Sequence, residues 1–196
     1  MKAMILAAGR GERMRPLTDN CPKPMLKVAD IPLIEHHIVK LKENGVVDIV
    51  INLAWCGEKI VQYFASGKKW GVTIQYSDEK FGALETAGGI KKALPLLIEE
   101  ETDDIFIVIN GDVYTDYDFK KLLKAKESMS HDQHYAHLIL VNNPEHNPNG
   151  DFQLHQGKVF PLDKDSISEA LEQKSSGNTH SHTYSGIGLY SGRFFD

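Results

Sequence analysis

Runs of apolar, mostly β-branched residues recur along the first two-thirds of the chain and alternate with segments of helical pattern. The runs at residues 2–8, 46–53 and 104–109 are apolar almost throughout, which is typical of strands buried on both faces. Amphipathic segments lie between them, such as residues 32–43, which end before the helix-stopping pair Asn44-Gly45. This alternation predicts an α/β fold of three layers, in which crossover helices cover both faces of a mainly parallel sheet.

After about residue 135 the pattern changes to short strand-like runs separated by loops rich in Asn, Pro and Gly. The runs are at residues 135–141, 152–154, 158–160 and 184–189. They predict extra C-terminal strands added to the mixed sheet. We therefore expect a single domain over residues 1–196, rather than two.

Charge and hydropathy exclude several classes of function. The chain has 22 Lys and Arg against 27 Asp and Glu, a formal net charge of −5, which argues against a general nucleic-acid binder. Its apolar runs are far shorter than the ~20 residues of a membrane-spanning helix, and we expect no membrane partner. Two cysteines, Cys21 and Cys56, are too few for a disulfide framework. A reducing, cytoplasmic location follows.

The segment at residues 6–24, LAAGRGERMRPLTDNCPKP, is the most informative part of the chain. Gly9 and Gly11 follow a predicted strand and permit a tight turn, whose backbone N–H groups can face an anion. Four cations oppose two acidic residues here, a local charge of +2, so the remainder of the chain carries −7. A basic loop on an acidic protein indicates a small anionic ligand.

Two common phosphate motifs do not match this segment. The dinucleotide fingerprint requires a third glycine where Met14 stands, and Pro16, Pro22 and Pro24 prevent an immediate helix. The Gly-Lys-Ser/Thr sequence of P-loop ATPases is absent. Taken alone, Gly-x-Gly after a strand is equally compatible with a simple glycine-rich turn.

The whole string, however, closely resembles the signature of sugar-1-phosphate nucleotidyltransferases: Leu-Ala-Ala-Gly, then Arg-Met, Pro-Leu-Thr and Pro-Lys-Pro. Three further stretches match in order, at residues 84–90, 110–112 and 184–187. The resemblance implies a Rossmann-like nucleotidyltransferase fold. Within the family, residues 113–119 and 147–152 and the Leu84-Glu85-Thr86 step are most similar to N-acetylmuramate-1-phosphate uridylyltransferases, which serve peptidoglycan recycling in the bacterial cell wall.

The reaction that this resemblance implies is attack of a sugar-1-phosphate oxygen on the α-phosphorus of a nucleoside triphosphate, with release of pyrophosphate. UTP, N-acetylmuramic acid 1-phosphate and Mg²⁺ are the implied substrates and cofactor. Mannose-1-phosphate guanylyl transfer and glucose-1-phosphate uridylyl or thymidylyl transfer remain alternatives. So does a nucleotide-binding regulatory module without catalytic activity.

The resemblance also assigns candidate site residues. Those implied for the nucleotide are Leu6, Ala8, Gly9, Gly11, Glu12, Arg13, Lys23, Thr86, Gly88 and Asn110. Lys23, Arg13 and Asp112 would be catalytic, and Asp112 would bind the metal. The sugar would be contacted by Gly150, Asp151, Glu169, Ser185 and Gly186.

Position in the chain supports Asp112, because it follows an apolar run and ligands of open α/β sheets bind at the carboxyl ends of strands. Mg²⁺ prefers one or two carboxylates together with phosphate oxygens. A plain Asn-Gly-Asp turn is the alternative for this position, and a solvated loop lysine is the alternative for Lys23. We interpret Asp116 and Asp118 as caps of the following helix.

Two other features have competing interpretations. Family members carry a second metal-binding aspartate in a C-terminal Asp-Val-Gly-Thr-like stretch, which this sequence lacks before it ends at Asp196. We therefore expect a chain shortened at its C-terminus relative to the family. His131, His134 and His137 recur every three residues, but without neighbouring ligands at zinc-site spacing they indicate a polar surface. The sequence makes no prediction of oligomeric state.

Overall fold

A computed structural model describes residues 1–79, 84–99, 103–132, 134–162 and 180–195. Contacts divide the chain into two compact units, one comprising Met1–His137 with Ile187–Asp196 and the other Leu138–Gly186. Within the described ranges, no helix is both long and apolar enough to cross a membrane.

The first unit is built on the predicted parallel strands, β1 (Ala3–Leu6), β4 (Asp48–Leu53), β5 (Thr73–Asp78) and β6 (Ile105–Asn110). They lie side by side in the order β5-β4-β1-β6, and all three pairings are parallel. The last part of β10 (His180–Ser191) pairs with β6 in the antiparallel sense. The prediction of a mainly parallel mixed sheet is thus confirmed.

Four α-helices occur among the described residues of this unit: α1 (Leu33–Glu43), α2 (Gly57–Phe64), α3 (Glu85–Leu97) and α4 (Phe119–Asp132). A hairpin of two-residue strands, β2 (Lys27–Val28) and β3 (Ile31–Pro32), precedes α1. The sequence pattern did not predict this hairpin.

Both faces of the central strand β1 are covered, as the apolar runs predict. Met4 packs in a core cluster with Ile90 and Ala93 of α3, and all three side chains are at most 2% exposed. Ala3 and Ile5 alternate to the opposite face and are 0% exposed. A strand buried on both faces requires helices on both sides, which is the three-layer arrangement.

The end of α1 follows from its sequence. Gly45 adopts a left-handed conformation with φ of +79°, which costs glycine little. Its N–H donates to Lys42 O at 3.0 Å, and Val46 N–H donates to Leu41 O at 2.9 Å. This pair of hydrogen bonds is a Schellman motif, so the stop predicted at Asn44-Gly45 is confirmed.

Helix α3 is longer than predicted. The sequence predicts a helix over residues 86–94, yet the helix runs from Glu85 to Leu97 and includes Pro95. Leu97 is 4% exposed within the core cluster, and its burial favours the extra turn despite the missing N–H of proline. Tertiary packing therefore overrides the local signal.

The second unit contains β8 (Phe152–His155) and β9 (Lys158–Pro161), which form an antiparallel hairpin. The first residues of β10 pair with β8, and β7 (Ala136–Val141) also pairs with β10. The polar sequence of residues 173–182 predicts a loop, and a strand only from residue 184, but strand β10 already begins at residue 180. The expectation of one domain over residues 1–196 stays a prediction.

A buried histidine beneath the loop after β6 makes the first unit sensitive to acid. His37 of α1 is 1% exposed, and neither ring nitrogen has a well-formed hydrogen bond to a described residue. Burial is the main cause that lowers the pKa of His37 to about 4, from 6.5. Lys40 and His36 lower this pKa further, whereas the backbone of Val113 and the Asp112 carboxylate oppose the change.

We expect this histidine to reduce stability as the pH falls from 6.5 towards 4. In that window the unfolded chain binds the His37 proton and the folded chain does not, so protonation favours unfolding. The difference between the two pKa values corresponds to a loss of about 3 kcal/mol in the free energy of unfolding at pH 4. Urea unfolding across this pH range should show a smaller loss of stability for His37→Leu than for the wild type. His36→Gln is the control and should lose as much stability as the wild type. An equal loss of stability in all three proteins would contradict the prediction.

Candidate active site

A cleft of about 570 Å³ opens in the first unit, at the carboxyl ends of its parallel strands. Strand register explains its position, because Leu6 at the end of β1 lies between Asn52 of β4 and Asn110 of β6. The residues that line it are Leu6, Ala7, Ala8, Gly9, Arg10, Gly11, Glu12, Arg13, Met14, Lys23, Pro24, Asn52, Glu79, Glu85, Thr86, Asn110 and Asp112.

The cleft gathers nearly all residues that the resemblance assigned to the nucleotide and to catalysis. Three separate segments contribute them: the loop after β1, the start of α3 and the end of β6. Gly88 is the exception among the assigned nucleotide residues, since it does not line the cleft. Their roles in binding and catalysis stay predictions.

Lys23 and Asp112 meet in this cleft. Lys23 Nζ lies 2.6 Å from Asp112 Oδ2, and the two side chains are 32% and 35% exposed. The pair joins residues 89 positions apart in the chain. A cation and a carboxylate thus stand at one point of the cleft, partly open to solvent, where each can also contact a ligand.

The geometry of the loop explains why Gly11 must be glycine. Its φ is +67°, and a Cβ built there would lie 2.9 Å from Lys23 Cβ and 3.2 Å from Thr18 Cγ2. Such a distance forces the neighbours to move. At Gly9, by contrast, an added Cβ meets no described atom within 4 Å and φ is not positive. The missing side chain of Gly11 lets Lys23 pack against the loop.

We expect Gly11→Ala to destabilise the protein by about 1–3 kcal/mol, the cost of a left-handed non-glycine residue. Gly9→Ala should leave the free energy of unfolding unchanged, because its backbone and surroundings accept a methyl group. Denaturant unfolding of both variants checks this. A loss of stability in Gly9→Ala as large as that in Gly11→Ala would contradict the assignment of the strain to Gly11.

A buried hydrogen-bonded chain, which no sequence motif predicted, connects the two sides of the cleft. Asn52 Oδ1 accepts from Ala7 N–H at 2.7 Å, and Asn52 Nδ2 donates to Glu79 Oε1 at 2.8 Å. Glu79 Oε2 then accepts from Leu84 N–H at 2.7 Å. Asn52 and Glu79 are each 3% exposed, so this chain fixes the start of the loop after β1 relative to the start of α3.

Gly89 leaves room for that chain. A Cβ at this position would lie 2.7 Å from Glu79 Oε1 and 3.0 Å from Asn52 Nδ2. The family resemblance implies that Gly88 and Gly89 let the backbone approach a nucleotide base, which stays a prediction; neither residue lines the cleft. The absent side chain of Gly89 makes room for Glu79 and Asn52.

Two of the three arginines of the loop, Arg10 and Arg15, contact other protein groups. Arg15 Nε lies 2.6 Å from Asp19 Oδ1 in an exposed ion pair. The guanidinium of Arg10, which lines the cleft, lies 4.3 Å from the ring centroid of Trp55. Arg13 belongs to a short 3₁₀ turn at Glu12–Met14, is exposed and lines the cleft.

The residues assigned to the sugar, as far as they are described, belong to the second unit. Asp151 Oδ1 accepts from Asn147 Nδ2 at 3.0 Å, and Asp151 Oδ2 accepts from Tyr184 N–H at 2.8 Å. Both oxygens therefore bind the chain itself. The Ser185 hydroxyl is buried without a hydrogen-bond partner among the described residues.

Of the other three residues assigned to the sugar, two are glycines and one is not among the described residues. Gly150 has φ of +71°, and a Cβ there would lie 2.7 Å from Asn143 Oδ1. Gly186 also has a positive φ, +80°. Glu169 lies outside the described residues. Contact of this set with a sugar stays a prediction.

The carboxylate of the cleft suits a magnesium ion that is held partly by the phosphate groups of the substrate. Among the described residues, no cluster of three or more His, Cys, Asp or Glu side chains could enclose a metal ion. Mg²⁺ does not need such a cage, because it binds through one or two carboxylates together with phosphate oxygens and water. The half-exposed carboxylate of Asp112 fits that requirement. Asp118 instead accepts from Lys120 N–H at 3.0 Å, as predicted for a helix cap.

Comparison with known proteins gives the family. The chain is 49% identical to an N-acetylmuramate alpha-1-phosphate uridylyltransferase of Neisseria meningitidis serogroup B over all of this chain and 78% of that protein. It is 39% identical to a UTP–glucose-1-phosphate uridylyltransferase of Synechocystis over 63% of this chain, but only 34% of that protein.

A similar structure and a family model agree with these relatives. A Bacillus anthracis crystal structure, assigned as a glucose-1-phosphate thymidylyltransferase, superposes with a TM-score of 0.74 at 25% identity, covering 100% of this chain and 73% of that one. The model of the nucleotidyl transferase family matches residues 2–162. The chain belongs to the nucleotidyl transferase family.

Proposed function

We propose that this chain transfers a uridylyl group from UTP to N-acetylmuramic acid 1-phosphate, releasing pyrophosphate and forming a UDP-sugar. The observation that carries the proposal is the meeting of Lys23 and Asp112 beside the glycine loop in one cleft. Identity of 49% along the whole chain to an N-acetylmuramate alpha-1-phosphate uridylyltransferase supports the choice of base and sugar. Such a reaction would return a wall sugar to peptidoglycan synthesis, in the cytoplasm.

The chemistry that this reaction needs matches the residues of the cleft. The acceptor oxygen belongs to a phosphate that is already ionised at neutral pH, so no strong general base is required. It attacks the α-phosphorus of UTP, and the bond from that phosphorus to the bridging oxygen of the β-phosphate breaks. Positioning of the two phosphates and stabilisation of negative charge then supply most of the acceleration.

In this proposal each cleft residue has a separate task. Lys23 places its ammonium beside the α-phosphate, where it stabilises charge on the transferring group. Arg13 binds the outer phosphates, which are the leaving group. Asp112 would hold Mg²⁺, which supplies further charge neutralisation when bound. The buried Asn52–Glu79 chain keeps both walls of the cleft in place.

The test is pyrophosphate release from a panel of UTP, GTP, dTTP and CTP, each with N-acetylmuramic acid 1-phosphate, glucose 1-phosphate and mannose 1-phosphate. We expect the UTP and N-acetylmuramic acid 1-phosphate pair to give the highest kcat/KM. A reaction without sugar phosphate is the control. Preference for GTP with mannose 1-phosphate would replace the proposed substrates, and UTP binding without any product would favour a regulatory module.

A further inference from the structure

The loop after β1 is long and has little regular structure of its own. Residues 7–22 contain one 3₁₀ turn, Glu12–Met14, and the hydrogen bonds between their backbone groups are those of turns. Thr18 folds back inside this loop, where its hydroxyl donates to Gly11 O at 2.9 Å and its side chain is 1% exposed. Residues 7–22 are called the phosphate loop below. A loop of this kind binds a phosphate more tightly when its conformation is fixed before the ligand arrives, because binding then orders fewer residues.

Trp55, which follows β4, contacts the phosphate loop at two points. Its indole N–H donates to Thr18 O at 2.9 Å. Its ring carries the Arg10 guanidinium 4.3 Å from the centroid, which is a cation–π contact. Arg10 lies between Gly9 and Gly11, and the Thr18 hydroxyl donates to the carbonyl oxygen of Gly11. The two contacts of Trp55 are therefore made with residues linked directly to the glycines that line the cleft.

We propose that Trp55 is a positioning residue, which fixes the phosphate loop in its ligand-binding conformation by holding Arg10 and Thr18 at once. This inference rests on the proposed function, since it concerns the binding of the triphosphate. Trp55 does not line the cleft, so it acts through the loop and not by touching the substrate. Its removal should weaken triphosphate binding and leave binding of the sugar phosphate unchanged.

Trp70 provides a matched control within the same chain. Its indole N–H donates to Glu35 Oε1 at 3.0 Å, and Lys69 Nζ lies 4.8 Å from its ring centroid. Trp70 packs against Phe64 and does not line the cleft. It therefore makes the same two kinds of contact as Trp55, but with partners outside the phosphate loop.

The first experiment compares Trp55→Phe and Trp55→Leu with Trp70→Phe in steady-state kinetics. Phenylalanine keeps an aromatic face for Arg10 and loses the donor to Thr18 O, whereas leucine loses both contacts. We expect the KM for UTP to rise about threefold in Trp55→Phe and about tenfold in Trp55→Leu, from the usual strengths of such contacts. The KM for the sugar phosphate should not change, and Trp70→Phe should match the wild type.

A second experiment measures binding without turnover. The chain has two tryptophans, so Trp70→Phe leaves Trp55 as the single indole fluorophore. Inorganic tripolyphosphate, and separately UTP, are titrated into this variant while the emission is followed. We expect saturable changes with both ligands, because each binds the phosphate loop that contacts Trp55. Isothermal titration should then show weaker tripolyphosphate binding to Trp55→Leu.

Failure of this inference differs from failure of the proposed function. If the wild type is active and both Trp55 variants have the same KM for UTP as the wild type, the positioning role is overturned. An equal rise in Trp70→Phe would also overturn it, since the effect would then reflect general packing. If the wild type binds tripolyphosphate through the loop but makes no UDP-sugar, the proposed function fails while the calorimetric comparison still decides the role of Trp55. Thermal unfolding of Trp55→Phe verifies that this variant is folded.

Discussion

Asp112→Asn will lower UDP-sugar formation by at least about a thousandfold, the scale of losing a charged group that acts on the transferring phosphate. Asparagine keeps the shape of the side chain and removes its negative charge. Asp112 lies directly beyond the end of β6 and lines the cleft, 2.6 Å from the Lys23 ammonium. Without its charge the site loses the carboxylate that suits Mg²⁺.

This variant should remain folded, because the ion pair that it removes is partly solvent-exposed and such pairs contribute only about 0–1 kcal/mol. Thermal unfolding measured alongside the pyrophosphate assay distinguishes a loss of catalysis from a loss of stability. Asp116→Asn is the matched control, since Asp116 is exposed, lies in the same loop and does not line the cleft. Asp112→Asn with a tenth or more of the wild-type rate would remove Asp112 from the catalytic assignment.

Lys23→Met is expected to reduce kcat/KM by about a hundredfold to a thousandfold, comparable to removing one charge-stabilising donor from an active site. Methionine retains much of the lysine stem that packs against Gly11 but carries no charge. The 3₁₀ turn at Lys23–Met25 holds this side chain in place, since Met25 N–H donates to Pro22 O at 2.8 Å. The loss should therefore arise from the missing ammonium.

Lys27→Met is the control for this second prediction. Lys27 lies on β2, is exposed and does not line the cleft, so its replacement should leave kcat/KM close to the wild-type value. Lys23→Arg adds information, because a guanidinium keeps the charge but differs in shape from an ammonium. Equal kcat/KM values for Lys23→Met and Lys27→Met would show that the charge at position 23 has no part in catalysis.

The strands and the main parts of the cleft could be predicted because their signals are local. Apolar runs define β1, β4 and β6, and carboxyl ends of neighbouring parallel strands meet at one edge of the sheet. Asp112 comes just after β6, so its place at this edge follows from the topology. Lys23 lies beyond the long loop after β1, and the family resemblance, not the topology, assigned it to the same site.

The residues that the prediction missed have partners far away in sequence. Asn52 bonds Glu79 across 27 positions and Ala7 across 45, which no local pattern encodes. One signal was nevertheless present, since Asn52 interrupts the apolar run at residues 49–53, and a buried amide in a strand needs hydrogen-bond partners. The space beside Gly89 is likewise set by Glu79, and the hydrogen bond of Trp55 to the phosphate loop joins residues 37 positions apart.

Phosphorus NMR of the protein with UTP, N-acetylmuramic acid 1-phosphate and Mg²⁺ tests the central claim most directly. Transfer joins the α-phosphorus of UTP to the sugar phosphate, so we expect the resonances of a UDP-sugar diphosphate to appear together with an equal amount of pyrophosphate. The sugar-phosphate signal should decline in step. Formation of UMP with pyrophosphate, or UTP signals that persist unchanged beside intact sugar phosphate, would contradict the account.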